Sequence, residues 1–260
     1  MAYRLIAVDL DGTLLNSAGR LSQRTADVLR KLVRSGTVIA PATARWYQAA
    51  IQPFAPLGLS IPAISACGAD VRAQDGRVLL QTPLPGAFTA FIADLADRAG
   101  WIATLSTPSG AFRRSNDLPP WAAHAPGWLK PVTTLACADL EGLLSVLIEL
   151  GDSGDELAGL AAWGEQISVR TARAFNGNPL VNVTARSADK GAGLRALCAA
   201  LHIDPRDTVA IGDDEVDLPM FEAAGLSIAM GNAGATVRAA ADMVTGSADE
   251  DGVATALLRL

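Results

Sequence analysis

Two histidines, His124 and His202, are too few to build a histidine-based zinc site in this chain of 260 residues. The three cysteines, Cys67, Cys137 and Cys198, are scattered, odd in number and form no CxxC pair. That pattern suggests reduced thiols, not a disulfide framework. Half the residues are hydrophobic, yet no uninterrupted apolar stretch approaches the roughly 20 residues needed to span a bilayer. A basic segment followed by a long apolar one is missing at the N-terminus, so no secretory signal is expected. The reading is of a soluble, cytoplasmic protein without a membrane partner. Lys and Arg form no block or stripe, and the net charge of −6 argues against nucleic acid as a ligand. Any metal chemistry therefore has to be carboxylate chemistry.

What is present is a globular composition that can bury a large core. The first third alternates β-type runs with helical patterns. Leu5–Leu10 is β-type, and Leu21, Val28, Leu29, Leu32 and Val33 share one helical face over Ser22–Ser35, with Gly36 closing the helix. "TVIAPATAR" predicts a second strand and "IPAIS" a third, while "VRAQDGRVLL" predicts a hairpin at Asp75-Gly76. The last third repeats the alternation through "KGAGLRALCAALHI", "TVAIGDD", "LPMFEAAG", "LSIAMGNA" and "DGVATALLRL". Strand–helix alternation with acids at strand ends predicts an α/β fold, a doubly wound, Rossmann-like and mostly parallel sheet. Between these lies a segment of different texture with four of the five tryptophans. "FTAFIADLADRAG" and "DELAGLAAWGE" read as helices, and "WIATLS", "SVLIEL", "ISVR" and "LVNVTA" as strands. The expected organisation is a core of residues 1–82 and 186–260 with an inserted α+β cap over 83–185.

The chemistry gathers at strand ends. "DLDGT" sets Asp9 and Asp11 one residue apart after an apolar run, where two unpaired carboxylates repel each other. A plain turn accounts for Asp and Gly there. A calcium loop of the EF-hand kind does not fit, because Leu14 and Arg20 stand where it needs Gly and Glu. Three further segments decide between turn and site. "PATAR" places Thr43 at a strand tip, Lys190 precedes a helical pattern, and "IGDDEVD" ends a late strand with Asp213, Asp214, Glu215 and Asp217. Singly, Thr43 reads as a helix cap, Lys190 as a solvated lysine and the acids as a polar first turn. Together and in this order, they read as one site, because a doubly wound sheet gathers strand tips at one edge.

In that order, "DLDGT", "ATAR", Lys190-Gly191 and "GDDEVD" resemble the four motifs of the haloacid-dehalogenase-like hydrolases. An insert between the second and third motifs, with "GNA" at Gly231–Ala233 and "DEDGVA" at Asp249–Ala254, is similar to the type IIB (Cof-like) branch of sugar-phosphate phosphatases. The resemblance implies an aspartyl-phosphate on Asp9, with Asp11 as general acid and base, a role that calls for a raised pKa. It implies Mg²⁺ held by Asp9, the backbone carbonyl of Asp11 and Asp213, with Asp217 acting through a metal-bound water or by holding Lys190. Thr43 and Lys190 would bind the phosphoryl group with the backbone near Gly12 and Ala44. The partner implied is a small phosphorylated metabolite, and the expected state is a monomer or homodimer. Substrate choice is assigned to the insert acting as a lid, with Arg45, Arg113, Arg114, Arg170 and Arg173 as candidate contacts. The insert tryptophans and Cys67 read as core residues.

Three positions depart from the family pattern. Ala44 stands for the glycine of "ATGR", Cys67 for the asparagine of "NGA", and Val216 for the asparagine of "GDxxND". An alanine forced to positive φ would cost about 1 kcal/mol or more, and Val216 cannot hydrogen-bond. Two other readings stay open: a phosphotransferase or mutase acting on sugar phosphates, and a catalytically weak phosphometabolite-binding protein.

Overall fold

The computed structural model describes residues 3–119, 127–149, 155–173 and 179–260, without the side chains of 155–156, 172–173 and 179. Trp121 and His124 lie outside the described residues. The chain forms two compact units, Met1–Leu80 with Asp189–Leu260, and Gln81–Ala188.

The first unit begins with β1 (Leu5–Val8), whose four residues are all buried. A strand inside a parallel sheet is covered on both faces, which suits an unbroken apolar run. Helix α1 (Gln23–Arg34) starts where the Ser22 side chain accepts from the Thr25 N–H and ends with Lys31 and Arg34 in its last turn. Then follow β2 (Val38–Pro41), α2 (Tyr47–Ile51), β3 (Ala63–Ser65), β4 (Asp70–Arg72) and β5 (Val78–Gln81). The order β3-β4-β5 forms a small separate sheet, with the expected turn at Asp75-Gly76. β3 thus lies outside the main sheet. It touches the end of β2 through one parallel bridge, Ala42 to Ile64.

The second unit contains α3 (Gly86–Arg98), β6 (Ile102–Thr107), β7 (Gly110–Arg114), β8 (Leu129–Val132), β9 (Ser145–Glu149), β10 (Ile167–Arg173) and β11 (Pro179–Ala185). Its sheet runs β10-β11-β9-β6-β7-β8 and is antiparallel except for the β7–β8 pair. Phe88, Ile92 and Ala96 of α3 pack on Ala103, Leu105, Val146, Ile148, Val181 and Val183 from one face of that sheet. Trp101 belongs to this core, and Trp163 lies edge-on to Phe88 at 5.2 Å. Asp155–Trp163 forms 3₁₀ turns in place of the expected helix, with Gly159 interrupting the run and Gly164 behind it. Periodicity missed β7, which carries two arginines, and β8, whose Pro131 suits its edge position.

The chain returns through α4 (Lys190–Leu201), β12 (Thr208–Gly212), α5 (Leu218–Ala223), β13 (Leu226–Ala229), α6 (Ala235–Ala240), β14 (Met243–Val244) and α7 (Gly252–Leu257). The main sheet is wholly parallel, in the order β14-β13-β12-β1-β2. Ile6 and Val8 face a core shared with α1 and α7, while Leu5 and Ala7 face one shared with α4 and α5. Helices therefore cover both faces, as doubly wound topology requires. Register matters most for the site. Val8 pairs with both Ile211 and Pro41, so the residues that follow on β1, β12 and β2 emerge at one edge. Among the described residues, no helix is long and apolar enough to cross a membrane.

Candidate active site

Asp9 leaves β1 with its backbone N–H still bonded to the Ile211 carbonyl at 2.9 Å, so the sheet itself sets its position. Its side chain meets Lys190, the first residue of α4, whose Nζ lies 2.6 Å from Asp9 Oδ1 and 2.5 Å from Asp217 Oδ1. Lys190 is 1% exposed and Asp217 0%. The Lys190 reading as a solvated lysine is thus excluded. Burial alone would push its pKa down, but Asp217 and Asp9 outweigh that and raise it. Burial pushes the Asp9 carboxyl well above its usual range, Lys190 opposes the shift, and Asp217, Asp213 and Asp11 add to it.

Asp217 uses both oxygens inside the protein. Oδ1 accepts from Lys190, and Oδ2 accepts from the backbone N–H groups of Asp213 and Asp214 at 3.0 and 3.1 Å. It holds Lys190 and shapes the turn after β12. Gly212 fits beneath it because a Cβ there would collide with the Asp217 side chain. Asp213 accepts from the Thr13 hydroxyl at 2.5 Å. Burial and the Asp217 charge push its pKa up to about 7, against the opposing effects of Thr13 and Lys190. Gly12, at φ +85°, supplies the turn that brings Thr13 there, and a Cβ on it would strike the Asp213 carboxylate.

Asp9, Asp213 and Asp217 each offer a carboxylate oxygen, all within 4.8 Å of one another. One ammonium among three carboxylates leaves an excess of negative charge, which adds to burial in raising the Asp9 and Asp213 pKa values. An oxygen-only donor set with that deficit fits a small, hard divalent cation such as Mg²⁺.

Thr43 lies at the tip of β2, buried, with its N–H on the Ile64 carbonyl at 2.9 Å and its hydroxyl accepting from the Arg45 N–H at 3.2 Å. Asp11 stands beyond the strand, where a guanidinium meets it. Arg45 Nε lies 2.8 Å from Oδ2 and Nη2 2.5 Å from Oδ1. The neighbour that positions Asp11 is thus a cation, and Arg45 is committed to Asp11. Thr13 and this pair were not foreseen; the signal for both was their place inside "DLDGT" and "ATAR".

The replaced glycine proves harmless, because Ala44 is not among the residues at positive φ. Strain falls instead on Ala66 and Cys67, at φ +50° and +52°, ahead of Gly68 at +89°. Asparagine is a better tenant than cysteine for such a conformation. The insert arginines are engaged within their own unit. Arg113 bonds Glu149 and the Asp117 carbonyl, both at 2.7 Å, and the Thr104 hydroxyl at 3.3 Å. Arg114 bonds Asp117 and the Trp101 carbonyl, both at 2.7 Å. Arg170 reaches the Ala188 carbonyl at 3.1 Å. They are cross-links of the sheet more than free anion receptors. The Arg173 side chain lies outside the described residues.

A family model described as haloacid dehalogenase-like hydrolase matches residues 6–117 and 150–257. The chain belongs to the haloacid dehalogenase-like hydrolases. Phosphatase YwpJ of Bacillus subtilis is 28% identical, with 96% of this chain and 97% of that protein covered. A phosphoglycolate phosphatase of Halorubrum lacusprofundi is 32% identical over 98% of this chain and 96% of its own length. A solved haloacid dehalogenase-like hydrolase from B. subtilis superimposes with a TM-score of 0.84 at 26% identity, covering 99% of each chain. In this haloacid dehalogenase-like hydrolase, all four resembling motifs lie in the first unit.

Proposed function

We propose that this hydrolase is a Mg²⁺-dependent phosphatase of small phosphomonoesters, with sugar phosphates as the leading class, working through an aspartyl-phosphate on Asp9. The observation that carries the reading is the buried Lys190 held between Asp9 and Asp217 beside Asp213. The phosphatase names of similar proteins support it.

In the first step, Asp9 forms a bond to phosphorus while the ester P–O bond breaks, and Asp11 gives its proton to the leaving oxygen. In the second, Asp11 takes a proton from water as the water oxygen attacks phosphorus, which releases inorganic phosphate and frees Asp9. Lys190 and Thr43 bind the transferring phosphoryl oxygens, and Asp217 keeps Lys190 charged and in place. Arg45 fixes the Asp11 carboxylate between steps. Asp9, Asp213 and the Asp11 carbonyl would hold Mg²⁺. When bound, the cation supplies charge neutralisation between the anionic nucleophile and anionic substrate. Discrimination among phosphomonoesters is assigned to the insert, 83–185.

The test is phosphate release from a broad phosphometabolite panel, with Mg²⁺ and with chelator, for the wild type and Asp9→Asn. Chelator-sensitive release that disappears in the variant is expected. No turnover on any member would sink the reading, and transfer of the phosphoryl group to a second hydroxyl would replace it with a phosphotransferase.

A further inference from the structure

Asn232, just after β13, plays no part in the steps above, although it lies on the surface next to them. Every polar group of its amide is used. Nδ2 donates to the Gly12 carbonyl at 2.8 Å and to Asp213 Oδ2 at 3.3 Å, and Oδ1 accepts from the Ala248 N–H at 3.0 Å. The partners settle the orientation of the amide. Two are pure acceptors and one a pure donor, so a flipped amide would lose all three bonds. An exposed side chain could leave these groups to water. Holding one rotamer across three chain segments costs entropy that solvation would not.

We propose that Asn232 is a positioning residue that presets Asp213 and the Gly12 turn for the divalent cation. The inference rests on the metal reading of the site. Asp213 is gripped from two sides, by the Thr13 hydroxyl on Oδ1 and the Asn232 amide on Oδ2. Both donors are neutral, so they orient the carboxylate without cancelling the charge a cation needs. The same amide ties the Gly12 carbonyl, in the turn where Gly12 closely approaches Asp213. Val216, in the turn after β12, has no polar group to share this task. The far anchor of Asn232 is itself braced. Asp249 accepts from Ser17 N–H and Oγ, both at 2.9 Å, and the Ser247 and Glu250 side chains cap the turn reciprocally. The "GNA" and "DEDGVA" segments thus act together as the outer support of the metal carboxylate.

Calorimetric titration of Mg²⁺ and of Mn²⁺ into the full-length wild type and Asn232→Ala, without substrate, tests this. Removing such outer support typically weakens metal affinity about 10–100-fold, so a dissociation constant at least about 10-fold weaker is expected. Melting in chelator should match the wild type, and the Mg²⁺-induced rise in Tm should shrink in the variant. Affinity within about twofold of wild type would overturn the inference, as would an affinity loss matched by lower metal-free stability. If the wild type itself binds neither ion, the metal reading fails with it; unchanged variant affinity beside clear wild-type binding sinks this inference alone.

Discussion

The ammonium of Lys190 lies 2.6 Å from the carboxylate of Asp9, although the two are 181 positions apart in the chain. Truncating one partner of a buried charge group strands the others, at a typical cost of about 3–5 kcal/mol. Lys190→Met should therefore lower the urea midpoint sharply with an unchanged m-value. The Asp9 pKa is raised in the fold, so its protonation favours the native state at low pH, and that stabilisation is lost as pH rises through the folded value. The deficit of the variant should be larger at pH 8 than at pH 5, and urea unfolding at both values measures it.

Asp213 titrates in the same direction. Its pKa moves from 3.8 when unfolded to about 7 in the fold, so the native state binds the proton more tightly. In chelator, stability should be greatest below about pH 4 as far as this group is concerned, and fall as pH rises from about 4 to about 7. Mg²⁺ should flatten that slope by stabilising the ionised carboxylate. Thermal melts across this range, with Mg²⁺ and with chelator, would show it. Parallel curves would contradict the assignment of Asp213 to the cation.

The bidentate Arg45–Asp11 pair holds in place the carboxyl group proposed to donate the proton. Asp11→Asn keeps the shape but removes the proton, at a typical cost of about 10²–10⁴ in rate. In kcat/KM, which reports formation of the aspartyl-phosphate, the loss should be large for alkyl phosphates, whose leaving oxygen needs the proton, and small for an aryl phosphate with a stable phenolate. kcat/KM for the two substrate kinds, wild type against variant, gives the ratio. Equal losses would remove the acid role from Asp11.

Arg113 offers a contrast, because its guanidinium is committed to Glu149, Thr104 and the Asp117 carbonyl. Arg113→Met should destabilise the chain by about 1–3 kcal/mol through the buried Thr104 hydroxyl and the partly buried Asp117 carbonyl and Glu149 carboxylate left unpaired, with KM for any substrate unchanged. A raised KM at undiminished stability would return Arg113 to the substrate.

The main-sheet elements and the residue types of the candidate site were legible because local rules govern them. Apolar runs ending in acids mark parallel strands, the Ser22 cap and Gly36 bracket a helix, and "DLDGT" or "GDDEVD" concentrates charge where only a ligand or partner offsets the repulsion. The insert read less well. The two arginines of β7 and Pro131 of β8 break the alternation, and Gly159 turns an apparent helix into 3₁₀ turns.

By itself, then, the sequence determined which residues carry charge at strand ends and in what order, since side-chain chemistry and periodicity are properties of the chain. Only the tertiary structure decided their partners. The parallel register of β1, β2 and β12 brings Asp9, Thr43 and Asp213 to one edge. Burial joins Lys190 to Asp9 and Asp217, the turn at Gly12 places Asp11 and Thr13 beside them, and Asn232, after β13, reaches the Gly12 carbonyl and Asp213. Such contacts join residues about 200 positions apart. They follow from packing the sheet, and no local pattern encodes them.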